Sequence, residues 1–169
     1  MYASAIQYIN QFGSQKTTEF VDRSDERILT KKALLAVVNN TDTSDFSAEI
    51  IAAATNAKML INNHLNSAYL EINSYLSARY TLPLSADIIN NSPLQRIECD
   101  IARYLIATSQ DLIDEIIETR YRDAVNWLKN LSNAKAKLGS ADTTNDTTTT
   151  NNSSTIKYAA GKKVDLEGY

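Results

Sequence analysis

The chain has 169 residues, of which 43% are hydrophobic and 22% charged, and its formal net charge is −3. This composition fits one soluble domain with a single core, and the charge argues against a protein that grips nucleic acid through a broad basic surface. Four glycines and two prolines are too few for an all-β fold built on tight turns. The single cysteine excludes an internal disulfide, the N-terminus lacks an export-signal pattern, and no run of 18 apolar residues could span a membrane.

The first predicted elements are short. Ser4 and Gln7 have the spacing of a capping box that starts a helix, and Gly13 is predicted to end it as a left-handed C-cap. Residues 14–27 are polar and rich in charge, so we predict a loop there. A second helix is expected to start near Thr30 and to turn its apolar side inward, through Ala33, Leu34, Val37 and Val38.

One long helix, predicted over residues 47–78, organises the chain. Ser47 is its predicted N-cap, and Pro83 is expected to keep the chain extended after it, because proline disfavours the helical region at the preceding residue. Such a helix would be about 48 Å long, so other elements must pack along it. Its apolar residues recur in steps of three or four, close to the helical period: Ile50, Ala54, Ala57, Ile61, Leu65, Ala68, Ile72 and Tyr75.

Two more helices are predicted after an irregular connection. Ser92, Pro93 and Gln95 have the residue types expected at the N-cap, N1 and N3 positions of the first one. Asp100 and Arg103 on this helix are three residues apart, and we expect them to form a pair on its flank. The last helix is predicted over residues 114–139, with this inner face: Ile117, Tyr121, Ala124, Val125, Leu128 and Leu131.

The composition changes sharply after Gly139. Residues 141–155 contain no large apolar residue and cannot support a core, whereas Ile156, Lys157 and Tyr158 form a small island that we predict to contact a partner. The whole pattern predicts an all-α protein, a small helical bundle built around one long helix with an extended polar C-terminal tail. Residues 1–139 form the helical domain, and residues 140–169 form a tail that we expect to be ordered only on assembly.

A search of the sequence for chemistry finds no active-site pattern. His64 flanks the apolar face of the long helix, and a packed or partly buried histidine is favoured there over a catalytic base or metal ligand. Cys99 has no motif around it, which favours a small buried side chain over a reactive thiol. No glycine-rich phosphate loop, GxSxG motif or metal-spaced cluster is present in the sequence. We therefore expect a non-enzyme without a catalytic, cofactor or metal site.

Met59 and Leu70 lie near the middle of the polar face of the long helix. Single exposed apolar residues are common, and this is the favoured interpretation of the two positions. The sharper hypothesis makes them contacts to a neighbouring subunit, because apolar residues on both sides of a helix suit packing in a ring.

Several sequence blocks resemble those of a family of small phage proteins. They are Tyr2-Ala-Ser with a helix ending in Phe12-Gly13, then Tyr75-Leu-Ser-Ala-Arg-Tyr-Thr-Leu-Pro-Leu84, Cys99-Asp-Ile-Ala-Arg-Tyr104, and Arg120-Tyr-Arg-Asp-Ala-Val-Asn-Trp-Leu128 with Lys137-Leu-Gly139. Their order and spacing over residues 1–139 resemble the head–tail joining (neck adaptor) family of Mu-like tailed phages. The chain is longer than that pattern between Phe20 and the long helix, and the polar tail has no counterpart in it.

The resemblance implies an all-α neck adaptor. Such a protein is expected to form a ring of identical subunits, twelve-fold by expectation, below the portal protein, and to extend the channel for double-stranded DNA without sequence-specific binding. Its other partner would be the next neck or tail completion protein, with no membrane involved. Its place would be the neck of the virion, after assembly in the host cytoplasm.

The resemblance also implies roles for motif residues. These residues are taken as structural: Arg79, Tyr80, Pro83, Asp100, Arg103, Tyr104, Tyr121 and Trp127. Arg120 and Arg122 could face a partner or the channel, although a solvated helix flank is the favoured interpretation. Two other functions stay open: another completion protein such as a stopper or tail terminator, and a small helical DNA-packaging or regulatory factor.

Overall fold

The computed structural model describes residues 1–24 and 26–138, and seven α-helices account for the regular structure of these residues. The helices are α1 (Ala5–Phe12), α2 (Ser14–Val21), α3 (Lys31–Asn39), α4 (Ala48–Leu76), α5 (Ala86–Asn90), α6 (Leu94–Thr108) and α7 (Glu115–Ser132). No strand occurs among the described residues. The prediction of an all-α bundle around one long helix is confirmed, and the predicted polar tail, residues 140–169, lies outside the described residues.

The long helix α4 is the centre of the bundle. It has 29 residues and is therefore about 43 Å long. It starts after Ser47, whose hydroxyl accepts a hydrogen bond from the Ile50 N–H, and it packs against α1, α2, α3, α6 and α7. Of the eight stripe residues predicted from the sequence, Ile50 and Tyr75 are half-buried and the other six are buried. The helix ends at Leu76, well before the region that Pro83 restricts.

The loop predicted over residues 14–27 is wrong for its first half, because α2 occupies Ser14–Val21. Its buried side is formed by Thr17, Thr18 and Val21, and the Thr18 hydroxyl donates to the Ser14 carbonyl at 2.8 Å. Two buried threonines leave no apolar stripe in the sequence, which is why a hydrophobic pattern missed this helix. Gly13 separates α1 from α2 with φ 84° and ψ 138°, a positive φ outside the predicted left-handed helical region.

Three other boundaries differ from the predictions. The connection before α6 contains the short helix α5, capped by Ser85. Helix α6 begins at Leu94, one residue later than predicted, so that Pro93 stands at the N-cap position. Helix α7 ends at Ser132 rather than near Gly139, and Ala134 follows it with φ 61°, in the left-handed region that stops a helix.

Every helix with a side-chain cap uses the expected chemistry. The capping box of Ser4 and Gln7 is present at α1, Thr30 caps α3, and Asp114 caps α7 through a 2.7 Å hydrogen bond from the Ile117 N–H. Of the predicted inner face of α7, Ile117, Ala124, Leu128 and Leu131 are buried, whereas Tyr121 and Val125 are half-buried. Within the described part of the chain, no helix is both long and apolar enough to cross a membrane.

Candidate interaction surfaces

The outer face of α4 carries no charge along most of its length. Its exposed residues between positions 52 and 74 are Ala52, Thr55, Asn56, Met59, Asn63, Asn66, Ser67, Leu70 and Ser74. Met59 and Leu70 are 56% and 59% exposed, as their place on the polar face predicted. They are 11 residues apart, which sets them about 20° apart around the helix and about 16 Å apart along it. We call these nine residues the uncharged face.

The charged residues of this stretch of α4 are turned to contacts inside the molecule. The Lys58 ammonium donates to the Val37 carbonyl at 2.9 Å and to Asn40 Oδ1 at 3.0 Å. Glu71 Oε1 accepts a hydrogen bond from the Tyr121 hydroxyl at 3.1 Å. The uncharged face therefore stays free of charge, because the two charged side chains of this stretch contact α3 and α7 and do not lie among its residues.

Asp100 joins three helices. Its carboxylate accepts a 2.9 Å hydrogen bond from Gln11 Nε2 and lies 3.3 Å from Arg96 Nη1 and 3.6 Å from Arg120 Nη1. Burial raises the pKa of this carboxyl, and the two arginines oppose that effect. Asp100 makes these contacts instead of the predicted pair with Arg103. Two of its partners come from α1 and α7, and the spacing of residues along α6 cannot reveal contacts with other helices.

Arg103 lies between two aromatic rings. Its guanidinium carbon is 4.4 Å from the ring centroids of both Phe12 and Phe20, a cation–π arrangement that ties α1 and α2 to α6. On the same helix, Tyr104 stacks on Tyr121 of α7 with centroids 3.9 Å apart and planes 9° apart. These motif residues join neighbouring helices.

The motif residues after α4 hold the end of α7. Arg79 Nη1 donates to the Leu131 carbonyl at 2.8 Å and to the Ala136 carbonyl at 3.3 Å, and its guanidinium carbon lies 5.7 Å from the Tyr80 ring centroid. Tyr80 is buried, whereas Pro83 is exposed. Trp127 is half-buried against the core. Arg120 forms an ion pair with Asp100, whereas Arg122 is exposed and donates a hydrogen bond to the Thr119 hydroxyl.

A buried carboxylate lies under the N-terminus, and no sequence pattern predicted it. Glu98 has no exposed surface, and its Oε2 accepts the N–H groups of Tyr2 and Ala3, each at 2.6 Å. Its other oxygen, Oε1, is buried and has no hydrogen-bond partner among the described residues. Burial raises the pKa of Glu98 from 4.5 to about 7, although the two N–H donors and the N-terminal ammonium act in the opposite direction.

The two residues considered for chemistry have ordinary surroundings. His64 is half-buried, as predicted, and its pKa is lowered by burial and by Arg23. Cys99 is buried, as predicted, and burial raises its thiol pKa to about 12, so that the reactive thiolate is scarce. A groove of about 360 Å³ between α2 and α4 is lined by Val21, Ile28, Ala53 and Leu60, among others, and His64 does not line it.

Sequence reasoning also missed an exposed apolar patch between α6 and α7. Leu112, Ile113 and Ile116 are 46%, 45% and 67% exposed. They lie just before and within the first turn of α7. The signal that would have found them is three large aliphatic residues outside the predicted inner face of α7. The predicted contact residues Ile156, Lys157 and Tyr158 lie outside the described residues.

A protein-family model described as "Bacteriophage Mu, Gp36" matches residues 2–157 of the chain. The chain belongs to the bacteriophage Mu Gp36 family. It is therefore a Mu-like phage protein. The match to the Gp36 family continues past Gly139 to Lys157, whereas the resemblance stated above covered residues 1–139 only. A comparison with curated protein sequences finds no significant match.

Proposed function

We propose that this Gp36-family protein is a structural protein of the phage particle, a neck adaptor that assembles as a ring below the portal. Two observations support the proposal: the chain belongs to a phage family, and α4 keeps a long exposed face free of charge. In a chain with 22% charged residues, the exposed face of a solvated helix would normally carry several of them. A face of amides, hydroxyls and three apolar side chains costs less to desolvate than a charged face when another protein covers it.

The uncharged face is the observation that carries the proposal. Met59 and Leu70 would be its apolar contacts, and the neighbouring subunit would be their partner in a ring, expected to be twelve-fold. The other partners would be the portal protein and the next neck or tail completion protein. Ile156, Lys157 and Tyr158 would serve as a clasp on a neighbouring subunit or on the portal.

The proposed channel role requires that DNA passes without being held. A net charge of −3 suits this role, because binding to the DNA backbone depends on arginine and lysine contacts to phosphates. We further propose that the protein performs no catalysis and carries no cofactor. It would work in the neck of the virion after assembly in the host cytoplasm.

The decisive experiment replaces Met59 and Leu70 together by aspartate. The variant is mixed with the portal protein, and the mass and the images of the resulting particles show whether a ring has formed. We expect the double variant to lose the ring while keeping the helical content of the parent, because both side chains are more than half exposed. The control replaces the exposed Asn126 and Asn130 of α7 by aspartate, which adds the same two charges elsewhere. If the Met59→Asp, Leu70→Asp variant still forms an intact ring, the uncharged face is not part of the interface between subunits.

A second measurement tests the clasp. The protein is assembled with its portal with and without residues 140–169, and loss of co-assembly in the shorter form is expected. The rival DNA-packaging or regulatory function predicts a different result: duplex DNA would bind, and its affinity would fall steeply with salt. A stopper or tail terminator would instead assemble with the tail-side protein and leave the portal unbound.

A further inference from the structure

The exposed patch of Leu112, Ile113 and Ile116, here called the aliphatic patch, has no partner in the described bundle. Exposed large apolar residues are grouped here, whereas Met59 and Leu70 stand apart on α4. Each of the three patch residues is at least 45% exposed, although Ile117 beside them is buried in the core. A cluster of this kind marks a contact site more often than single exposed residues do.

The charged residues nearest the patch along the chain are all acidic, and the basic residues near it line a groove on one side of Ile116. Residues 104–119 contain four acidic residues and no basic one, and all four are exposed: Asp111, Asp114, Glu115 and Glu118. A partner for this surface must therefore combine apolar side chains with positive charge, because a neutral or acidic apolar segment would leave the carboxylates without compensation.

One segment of the chain itself has this composition. Residues 156–164 read Ile-Lys-Tyr-Ala-Ala-Gly-Lys-Lys-Val and carry three lysines, three large apolar side chains and no acidic residue. The segment carries a charge of +3, opposite in sign to the charge of −4 on residues 104–119. The preceding residues, 139–155, contain no lysine or arginine, so all the lysines of the tail lie in this segment, and its large apolar residues lie in this segment and directly after it.

The order of charges along the tail is complementary to the order of charges on the surface at the patch. Next to Ile116 opens a groove of about 350 Å³ between α1, α2, α6 and α7, and its charged lining consists of three basic residues and one acidic one: Lys16, Arg103, Arg120 and Asp114. Arg103 Nη1 is buried without a hydrogen-bond partner among the described residues. In the chain, the lysine-rich segment is followed at once by two carboxylates, Asp165 and Glu167. An acidic surface followed by a basic groove thus corresponds to a basic segment followed by acidic residues.

The segment can reach the patch of its own molecule. The described chain ends at Leu138, which is buried in the core beyond the end of α7. The patch lies at the other end of α7, a helix of 18 residues and therefore about 27 Å long. The 17 residues from 139 to 155 span at most about 60 Å. Attachment to the same chain also raises the local concentration of the segment at the patch.

We propose that residues 156–164 bind the aliphatic patch of the same molecule in the free protein. Ile156, Tyr158 and Val164 cover the three exposed aliphatic side chains, and the lysines lie among the four carboxylates. This contact needs no second copy of the chain, so it can form before any ring does. If the tail also serves as a clasp in the assembled particle, assembly must first displace it from its own patch.

Paramagnetic NMR on the full-length chain tests the proposal. Ala159→Cys provides a single site for a nitroxide label, because the native Cys99 is buried and its thiol pKa is about 12. In a dilute sample we expect the label to broaden the methyl signals of Ile113 and Ile116 several-fold more than those of Met59 and Leu70. This difference should vanish in 1 M salt, where charges are screened beyond about 3 Å.

Two substitutions test the charge and apolar parts separately. Lys162→Gln with Lys163→Gln should remove the selective broadening, whereas Asn151→Glu with Asn152→Glu changes the net charge by the same amount outside the segment and should preserve it. Ile116→Asp should abolish the broadening at Ile113, and the fold should persist because Ile116 is 67% exposed.

Three results would overturn the proposal. The first is equal broadening at the patch and at Met59 and Leu70. The second is selective broadening that the lysine substitutions leave unchanged. The third is broadening seen only when spin-labelled and methyl-labelled copies are mixed, which would place the contact between molecules.

Discussion

Replacing Glu98 by glutamine should change how the stability of this protein depends on pH. The carboxylate is fully buried, and only one of its oxygens receives hydrogen bonds, from Tyr2 and Ala3. The charged form therefore loses more solvation than the two N–H groups return, and the pKa rises from 4.5 to about 7. Because the pKa is higher in the folded state, this group supports folding most below pH 4.5. Its contribution falls as the pH rises through 7.

The size of the effect follows from this shift. Between pH 5 and pH 8 the group should lower the free energy of unfolding by about 2.5 kcal/mol, since one pKa unit corresponds to roughly 1.4 kcal/mol. The Glu98→Gln variant lacks this titration and keeps an amide oxygen for the N–H groups of Tyr2 and Ala3. Between pH 5 and pH 8 its free energy of unfolding should therefore fall by about 2.5 kcal/mol less than that of the parent.

Urea unfolding at pH 5, 6, 7 and 8 measures the difference directly. Glu118→Gln, at an exposed position in the first turn of α7, removes a carboxylate without touching the buried site and should keep the pH slope of the parent. The reasoning is refuted if Glu98→Gln and the parent differ by less than about 1 kcal/mol in their change from pH 5 to pH 8, or if the parent becomes relatively more stable as the pH rises.

Two further substitutions test the core and the motif, each against a control on the same chain. Leu65→Ala on the buried side of α4 should cost about 2–5 kcal/mol in denaturant unfolding, whereas Leu70→Ala on the exposed side should cost less than about 0.5 kcal/mol; similar losses would contradict the orientation of α4. Arg79→Ala removes the donor to the Leu131 and Ala136 carbonyls and should cost about 1–3 kcal/mol. Arg122→Ala, at an exposed position, should be nearly neutral, and equal effects of the two arginines would mean that the contact at the end of α7 is unimportant.

The periodic helices are the part of the fold that the sequence predicted well. The stripe from Ile50 to Tyr75 located α4, and the caps at Ser4, Thr30 and Ser47 located three helix starts. These signals succeed because they depend on residues within one or two turns of each other. Helix α2 escaped prediction for the complementary reason, since its buried side includes Thr17 and Thr18, which a search for apolar periodicity does not count.

The candidate surfaces divide in the same way. The exposure of Met59 and Leu70 followed from helical geometry, because the angle between each residue and the apolar stripe is fixed once α4 is a helix. Helical geometry does not show the partners of Lys58 and Glu71: both fall on the flanks of the apolar stripe in a helical projection, and only the packed bundle supplies their contacts on α3 and α7.

The sequence alone therefore determined that this is an all-α chain around one long helix, since the helical period and the caps are local properties of the backbone. Only the tertiary structure decided which polar groups are buried and with what. Glu98 receives N–H groups 95 and 96 residues away, and Asp100 receives an amide 89 residues away. No local pattern records such pairs, because they form only when the packing of α1 against α6 removes water from between them.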